Sequence, residues 1–580
     1  TTVMPNKGAW LELEQDAQDT LYVRVDRKKK LCVTVLLRAL GFGSDHAIEQ
    51  LFPGDKMIRE TVAKDSTKSE SDGLIELYRR LRPGEVPTED SVRTHLYNLF
   101  FDTRRYDVAK VGRYKYNKKL NLAYRLPGQI VADDIVNPET GEIMANAGEK
   151  ISEEKNDPEW MRIFRQKSLR VYNSMPVQNW GPSIAGLDMS NIVTYVRPNT
   201  EMRGKWSEVP EDIKNTFERL GIPKAERASL AGVGAQYDSE VVYHNVKAEV
   251  AAQGVVYTDM ESALTGPYAE LVHTHFMKLV PPTDHKFAAL HGAVWSGGSF
   301  VYVPAGVHVE IPLQSYFRLN APGAGQFEHT LIIVDKGAYL HFIEGCSAPK
   351  YNVANLHAGC VEIYVGEGAR VRYSTIENWS KNMYNLNTKR AKVEKGGTIE
   401  WVSGSFGSHT SCLYPMSILA GEGARMEFTG ITFAGAGQDL DTGAKVVHAA
   451  PNTSSHITTK SIARDGGISN FRSSVTVLPN AKNSKSAVSC ESLMLDDRSR
   501  SDTIPEMDIR CDAVDVGHEA KIGRISEEAV FYLMSRGLSE EDARALIVGG
   551  FAEPIAKELP VEYAVEMNNL IHLEMKGSIG

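Results

Sequence analysis

A chain of 580 residues is long enough for several domains with sizeable cores. Its formal net charge of −9 argues against a surface built as a whole to bind nucleic acid or an anionic membrane. It has no run of about 18 apolar residues, so no membrane-spanning helix is expected.

The first stretch alternates like strands, through Trp10-Leu11-Glu12-Leu13-Glu14 and Leu21-Tyr22-Val23-Arg24-Val25. The spacing then predicts a helix over Val33 to Leu40 ending at Gly41. A short amphipathic helix over Leu74 to Leu81 is closed by Arg82-Pro83-Gly84, and another helix starts at Thr88-Glu89-Asp90. A basic cluster follows: Arg104, Arg105, Lys110, Arg113, Lys115, Lys118 and Lys119, interleaved with Tyr106, Tyr114 and Tyr116. It reads as a solvated charged face, with phosphate tracking as the functional alternative. Ser152 is placed to cap a helix with a stripe of Trp160, Phe164, Leu169 and Tyr172, ended by Pro176. Pro210 opens another helix, stopped at Gly221, and the glycine-containing stretch Ser229 to Tyr243 leads into strands.

From about Phe300 the chain repeats. A turn glycine followed by apolar/polar alternation recurs at Gly306, Gly337, Gly368, Gly396 and Gly423, a period of roughly 30 residues. Glycine at each turn permits a left-handed backbone, and period-2 alternation marks a half-buried strand. A repeat of this length without helical segments predicts a β-helix over about 240–515, with these glycines at successive corners of one column. An antiparallel sandwich is the alternative, but its turns come closer together, about every 8–12 residues. The end is helical: Ser526 starts a helix stopped by Gly537, Ser539 starts one stopped at Gly549-Gly550, and Pro560 to Met575 forms a third.

Six cysteines, Cys32, Cys346, Cys360, Cys412, Cys490 and Cys511, form no C-x-x-C pair. This predicts reduced thiols in a cytoplasmic protein, and the polar N-terminus shows no signal peptide. Thiolate is both a sulfur nucleophile and the preferred ligand of iron–sulfur clusters. Cys490 follows the last repeats. Taken alone, it is more often a small buried hydrophobe than a reactive group. No G-x-x-x-x-G-K-[ST] occurs, so ATP hydrolysis would need a partner, and no Rossmann fingerprint is present.

The strings Pro5-Asn6-Lys7-Gly8-Ala9-Trp10-Leu11, Arg24-Val25-Asp26-Arg27, Leu36-Leu37-Arg38-Ala39-Leu40-Gly41 and Val111-Gly112-Arg113-Tyr114-Lys115 resemble the β subunit of bacterial RNA polymerase over residues 1–150. The resemblance covers a mixed α/β lobe piece, with Cys32 where that family has proline, and excludes the polymerase active centre. Residues from 152 on resemble the SufB family, the scaffolds of SUF iron–sulfur cluster assembly. The strings that carry this are Asn156-Asp157-Pro158-Glu159-Trp160-Met161, Leu230-Ala231-Gly232-Val233-Gly234-Ala235-Gln236-Tyr237, Glu344-Gly345-Cys346-Ser347-Ala348-Pro349 and Asp441-Thr442-Gly443-Ala444-Lys445. The two meet at Ile151 to Lys155, which reads as a chimeric gene model. The expected regions are 1–150 polymerase-like, 151–240 helical, 241–520 β-helix and 521–580 helical.

The SufB resemblance implies a right-handed parallel β-helix and a non-enzymatic scaffold carrying a transient iron–sulfur cluster. It implies Cys490 as the essential thiol, His518 and Glu519 as iron ligands or proton carriers, and Cys346 as a persulfide acceptor. Arg318, Trp379 and Lys389 would line the sulfur route. Glu377 stands where the family has Gln, and a negative charge there would oppose an anion. The resemblance also implies a SufC ATPase docked on the C-terminal helices, and SufD or a second SufB. A SufE- or SufU-type donor with a cysteine desulfurase would supply sulfur, and reduced flavin is a possible cofactor. Because Glu519 follows Cys490 by close to one coil of the repeat, the two are expected to share a face. Two other readings compete: a nucleic-acid-binding polymerase fragment, and a β-helix carbohydrate enzyme, which would need a carboxylate pair flanking a groove.

Overall fold

The computed structural model describes residues 2–16, 18–52, 55–102, 104–107, 135–136, 143–145, 157–198, 230–557 and 561–575. The helix expected at Pro210, the junction at 151–155 and most of the basic cluster, from Lys110 to Lys119, lie outside them. Contacts divide the chain into two units, Thr1–Asn156 and Asp157–Gly580.

In the first unit, four antiparallel strands lead into five helices between Val33 and Phe100. Their apolar faces meet in two clusters, a larger one that includes Val23, Val35, Leu74 and Leu77 and a smaller one of Ile48, Ile58 and Val62. The buried Arg38 guanidinium ties this unit together. Its Nε lies 3.4 Å from Asp65, its Nη1 donates to the Gly43 carbonyl at 2.8 Å, and it also pairs with Asp45. A charge buried this deeply is tolerated because every side of it is answered.

The second unit is a parallel β-solenoid. Strands Gly232–Tyr237, His308–Arg318, Tyr339–Ser347, Arg370–Asn378, Thr398–Phe406, Arg425–Ala434, Ser454–Ala463, Ser484–Met494 and Val514–Arg524 stack in parallel as one sheet. Parallel pairing thus starts at Gly232, inside the stretch expected to be helical. Up to Leu419 each turn has three strands; from Asp439 it has two, because strand Asp439–His448 pairs with both Thr410–Leu413 and Met416–Leu419.

The corner glycines form one column. Gly306, Gly337, Gly368, Gly396 and Gly423 all have φ between 62° and 72°, and each N–H donates to the carbonyl of the next corner at 2.8–3.0 Å. A Cβ there would meet nothing within 4 Å, so it is the left-handed backbone, not space, that selects glycine. The column continues through Asn452 (φ 57°) and Asn483 (φ 58°), which a search for glycine passes over. Asparagine tolerates this conformation better than other side chains do.

Helices cover the outside. Met161, Met260, Phe276 and Trp295 pack on Phe300 and Leu331 over the early coils. Glu540–Ala556 and Val561–Met575 bury Val548, Ile555, Leu570 and Ile571 on Ile376, Ile431 and Ile462. The first of these helices runs through Gly549-Gly550 instead of stopping there. Burial of Val548 and Ala552 on the solenoid outweighs the roughly 1 kcal/mol cost of each glycine. The stripe helix is described from Glu159, with Pro158 at its N-cap, rather than from Ser152.

Candidate functional site

Strand alternation sorts the solenoid interior into columns. Leu340, Val371, Ile399 and Met426 make one apolar column, and Phe342, Tyr373, Trp401 and Phe428 make the next. Two residues on, the inward column is polar: Glu344, Thr375, Ser403, Gly430, Thr459 and Cys490 stand in register on successive rungs. Beside it run Cys346, Glu377, Ser405, Thr432, Ser461 and Ser492. Cys346 and Cys490 therefore lie five rungs apart on one polar seam, about 24 Å at the usual strand spacing.

At the Cys346 end, charge is buried and paired. Lys389 Nζ donates to Glu344 Oε1 at 2.8 Å and to Thr375 at 2.9 Å, and Tyr373 also donates to Glu344. Burial opposes the Glu344 carboxylate, yet Lys389 holds it below the usual range. Burial likewise opposes the Lys389 ammonium, but Glu344 and Glu377 keep it above its ordinary value. The Cys346 thiol lies 3.7 Å from Glu344, and burial, with Glu344 and Glu377 adding to it, pushes it well above its ordinary value.

Glu377 accepts from Asn385 at 2.7 Å, and burial raises its carboxyl above the usual range. Burial thus disfavours the negative charge that would oppose an anion there, while Lys389 and His357 favour it. Asn385 and Glu328 also hold His357, at 2.8 and 2.5 Å, and the His357 ring packs on Trp379. Arg318 donates to Ser347 at 3.0 Å. The buried atoms Arg318 Nε, Trp379 Nε1 and Ser405 Oγ have no hydrogen-bond partner among the described residues.

Further along, a cavity of about 10 Å³ is bounded by Thr375, Glu377, Lys389 and Ser403. A second, of about 20 Å³, is bounded by Ser403, Ser405, Thr432, Thr459 and Ser461. Each is near the size of a single water.

The other end departs from expectation. Cys490 pairs with Ala520, not Glu519, because the coil there is one position longer than the separation of Cys490 and Glu519. A one-residue offset turns a strand side chain to the opposite face. Cys490 points inward, with Sγ 3.4 Å from Thr503 Oγ1 and 3.9 Å from His518 Nε2. Glu519 points outward and pairs with Lys521 at 3.1 Å. Burial raises the Cys490 thiol, and the Thr503 hydroxyl opposes this. Of the remaining cysteines, Cys360 and Cys412 are buried and Cys511 packs at the edge of the core. The buried carboxylates Glu328, Glu344 and Glu377 lie inside the coils, not along a groove that a glycan could enter.

Fold and side chains define a class: a β-solenoid scaffold with a thiol at each end of an interior polar seam. The chain belongs to the SufBD family of iron–sulfur cluster assembly proteins. Residues 188–315 match the SufBD protein N-terminal region, and residues 317–551 match the SUF system FeS cluster assembly SufBD core domain. It is 52% identical over 432 residues to the iron-sulfur cluster assembly protein SufB of Bacillus subtilis (strain 168), covering 74% of this chain and 93% of that one. It is equally 52% identical over 435 residues to an iron-sulfur cluster assembly SufBD family protein of Staphylococcus aureus (strain MRSA252), covering 75% and 93%. Residues 1–134 match RNA polymerase Rpb2, domain 2, so the chain joins pieces of two families.

Proposed function

We propose that this chain is a scaffold for iron–sulfur cluster assembly in the cytoplasm, in which sulfur enters at Cys346 and leaves at Cys490. The observation that carries this reading is the unbroken polar seam between the two thiols, in an interior whose neighbouring columns are apolar. A persulfide from a SufE- or SufU-type donor, charged by a cysteine desulfurase, passes its outer sulfur to Cys346. Lys389 and Arg318 supply the positive charge that favours an anionic sulfur, and Trp379 Nε1 offers a free donor beside the path. Reducing that sulfur to sulfide takes two electrons, for which reduced flavin is the proposed source. Iron and sulfide then meet at Cys490 and His518. Glu519 serves from the outer face, where SufD or a second copy of this chain completes the ligand set. The last strand, Val514–Arg524, pairs on one side only among the described residues and leaves Ile522 exposed, as an edge awaiting a partner would. Phe531, Tyr532 and Met534 are exposed on helix Glu527–Ser535 and offer an apolar seat for the SufC ATPase.

Cys490→Ala tests this reading. Reconstitution with iron and sulfide, followed by visible absorption, should show no cluster, while the fold and ATPase-partner binding are unchanged. A wild-type yield would move the scaffold thiol elsewhere, with Cys346 the next candidate.

A further inference from the structure

On the outside of the early coils, three side chains unused by the seam converge beneath a helix. His329 and Cys360 are register partners on the adjacent strands His329–Val334 and Cys360–Val365. His291 comes from helix Lys286–Val294. Their ligating atoms, two imidazole nitrogens and one sulfur, lie within 4.8 Å of one another, and all three residues are buried. We propose that these three side chains hold a late first-row divalent metal ion of the zinc class, separate from the cluster-building end.

The rest of each ring carries the inference. His291 Nδ1 lies 2.9 Å from the carbonyl of Ala358, which can only accept. Its hydrogen therefore sits on Nδ1, and Nε2 presents a lone pair. His329 Nε2 lies 3.3 Å from the Glu362 carboxylate, without the geometry of a hydrogen bond. That carboxylate is fixed by the backbone N–H groups of Met277, Leu279 and Val280 at 2.5, 2.7 and 2.9 Å. The remaining nitrogens, His291 Nε2 and His329 Nδ1, face each other at 3.0 Å. At that distance the two nitrogens share either a hydrogen bond or a cation. His291, with one nitrogen on a carbonyl and the other at the point it shares with His329 and Cys360, matches the way metal-binding histidines are oriented. Two nitrogens and a thiolate suit zinc, which takes three protein ligands where a fourth position is left to water.

With a divalent ion, the Cys360 thiolate as ligand and the nearby Glu362 carboxylate would together supply two negative charges against the ion.

The test uses the full chain carrying Cys490→Ala, so that the cluster end does not contribute a thiolate there. Cobalt(II), then zinc(II), is added to the folded chain and, separately, during refolding from urea. The expected result is one cobalt per chain with a thiolate-to-cobalt charge-transfer band, and displacement by zinc. Adding Cys360→Ser should abolish the band, and His291→Gln should abolish stoichiometric retention. Glu362→Gln should keep the band but weaken affinity by about 10–100-fold. Zinc should raise the melting midpoint of the parent but not of the Cys360→Ser chain, which separates lost binding from lost folding. Retention below one ion per chain under both loading conditions would overturn the proposal, as would a band that survives Cys360→Ser.

Discussion

The early, three-stranded turns and the late, two-stranded turns solve the same problem differently. Both must keep a polar seam inside an apolar solenoid. The early turns bury charge, with Lys389, Glu344, Glu377, Glu328 and His357 answering one another. The late turns line the seam with hydroxyls, as in Thr432 to Thr442 at 2.9 Å within one turn and Ser461 to Ser492 at 2.7 Å between two. Two thiols of the same chemistry are thereby set apart: Cys346 is pushed up by burial and by carboxylates, Cys490 by burial with a hydroxyl opposing. In the proposed route, the thiol among carboxylates would receive sulfur, and the thiol beside a hydroxyl, a histidine and an uncovered edge would bind metal.

Breaking the early turns should have the largest effect. Gly407 has φ +78°, and a Cβ there would lie 1.8 Å from the Trp379 carbonyl oxygen. Backbone cannot retreat from that contact, so Gly407→Ala should cost more than about 4 kcal/mol and read out as loss of cooperative thermal unfolding. By contrast, Gly523 on the last strand has nothing within 4 Å of its Cβ position.

Next in size is Lys389→Met. It leaves Glu344 and Glu377 buried without their cation, and breaking such a pair costs about 3–5 kcal/mol. Denaturant unfolding measures this. The double variant Lys389→Met with Glu344→Gln should recover much of the stability but not the sulfur transfer. Recovery of transfer as well would remove Lys389 from the route.

Much of this is legible in the sequence once the corners are aligned. Counting seven residues from Gly337, Gly368, Gly396 and Gly423 gives Glu344, Thr375, Ser403 and Gly430, and nine gives Cys346, Glu377, Ser405 and Thr432. The same count from Asn452 and Asn483 reaches Thr459 and Cys490, so the seam is present in the pattern. A search restricted to glycine corners misses its far end, because asparagine also accepts that backbone. The face of Glu519 escapes the sequence for a related reason. Coil length is not constant: the step from Tyr339 to its partner Arg370 is longer than the step from Thr398 to Arg425. A sequence separation therefore does not fix register, and one residue decides inside from outside. His329 and Cys360 do share an offset, each eight residues before its corner at Gly337 or Gly368, but Glu328, His357 and His291 are joined by folding across strands and helices without one.

Acid should loosen the early turns. His244 is neutral in the fold, its pKa depressed to about 4 by burial, and its Nε2 has no partner among the described residues. A histidine depressed from 6.5 takes up its proton more readily when unfolded. Its contribution is therefore complete above pH 6.5 and is lost as pH falls toward 4, by up to about 3 kcal/mol. His244→Phe, which keeps the edge contact with Tyr257, should flatten the stability profile in that window by about one proton. An unchanged slope would mean that the loss comes from other groups, such as His341 and His448, both also near 4.

The smallest stability effect belongs to the outer face of the last rung. Glu519 projects into solvent, and its ion pair with Lys521 is exposed on both sides, so it contributes little to the fold. Glu519→Gln keeps the shape and removes the charge, and the melting midpoint should stay within error of the parent. Cluster yield should nevertheless fall in the presence of the partner that covers this edge, because a carboxylate on the outer face can reach iron only when a second chain closes over it. In the isolated chain, the same variant should change cluster retention less than His518→Gln does, since His518 Nε2 is the group beside Cys490. Equal losses in both settings would mean that Glu519 swings inward past the strand edge and acts next to Cys490 without a partner. No loss in either setting would leave His518 as the sole companion of Cys490 on this rung.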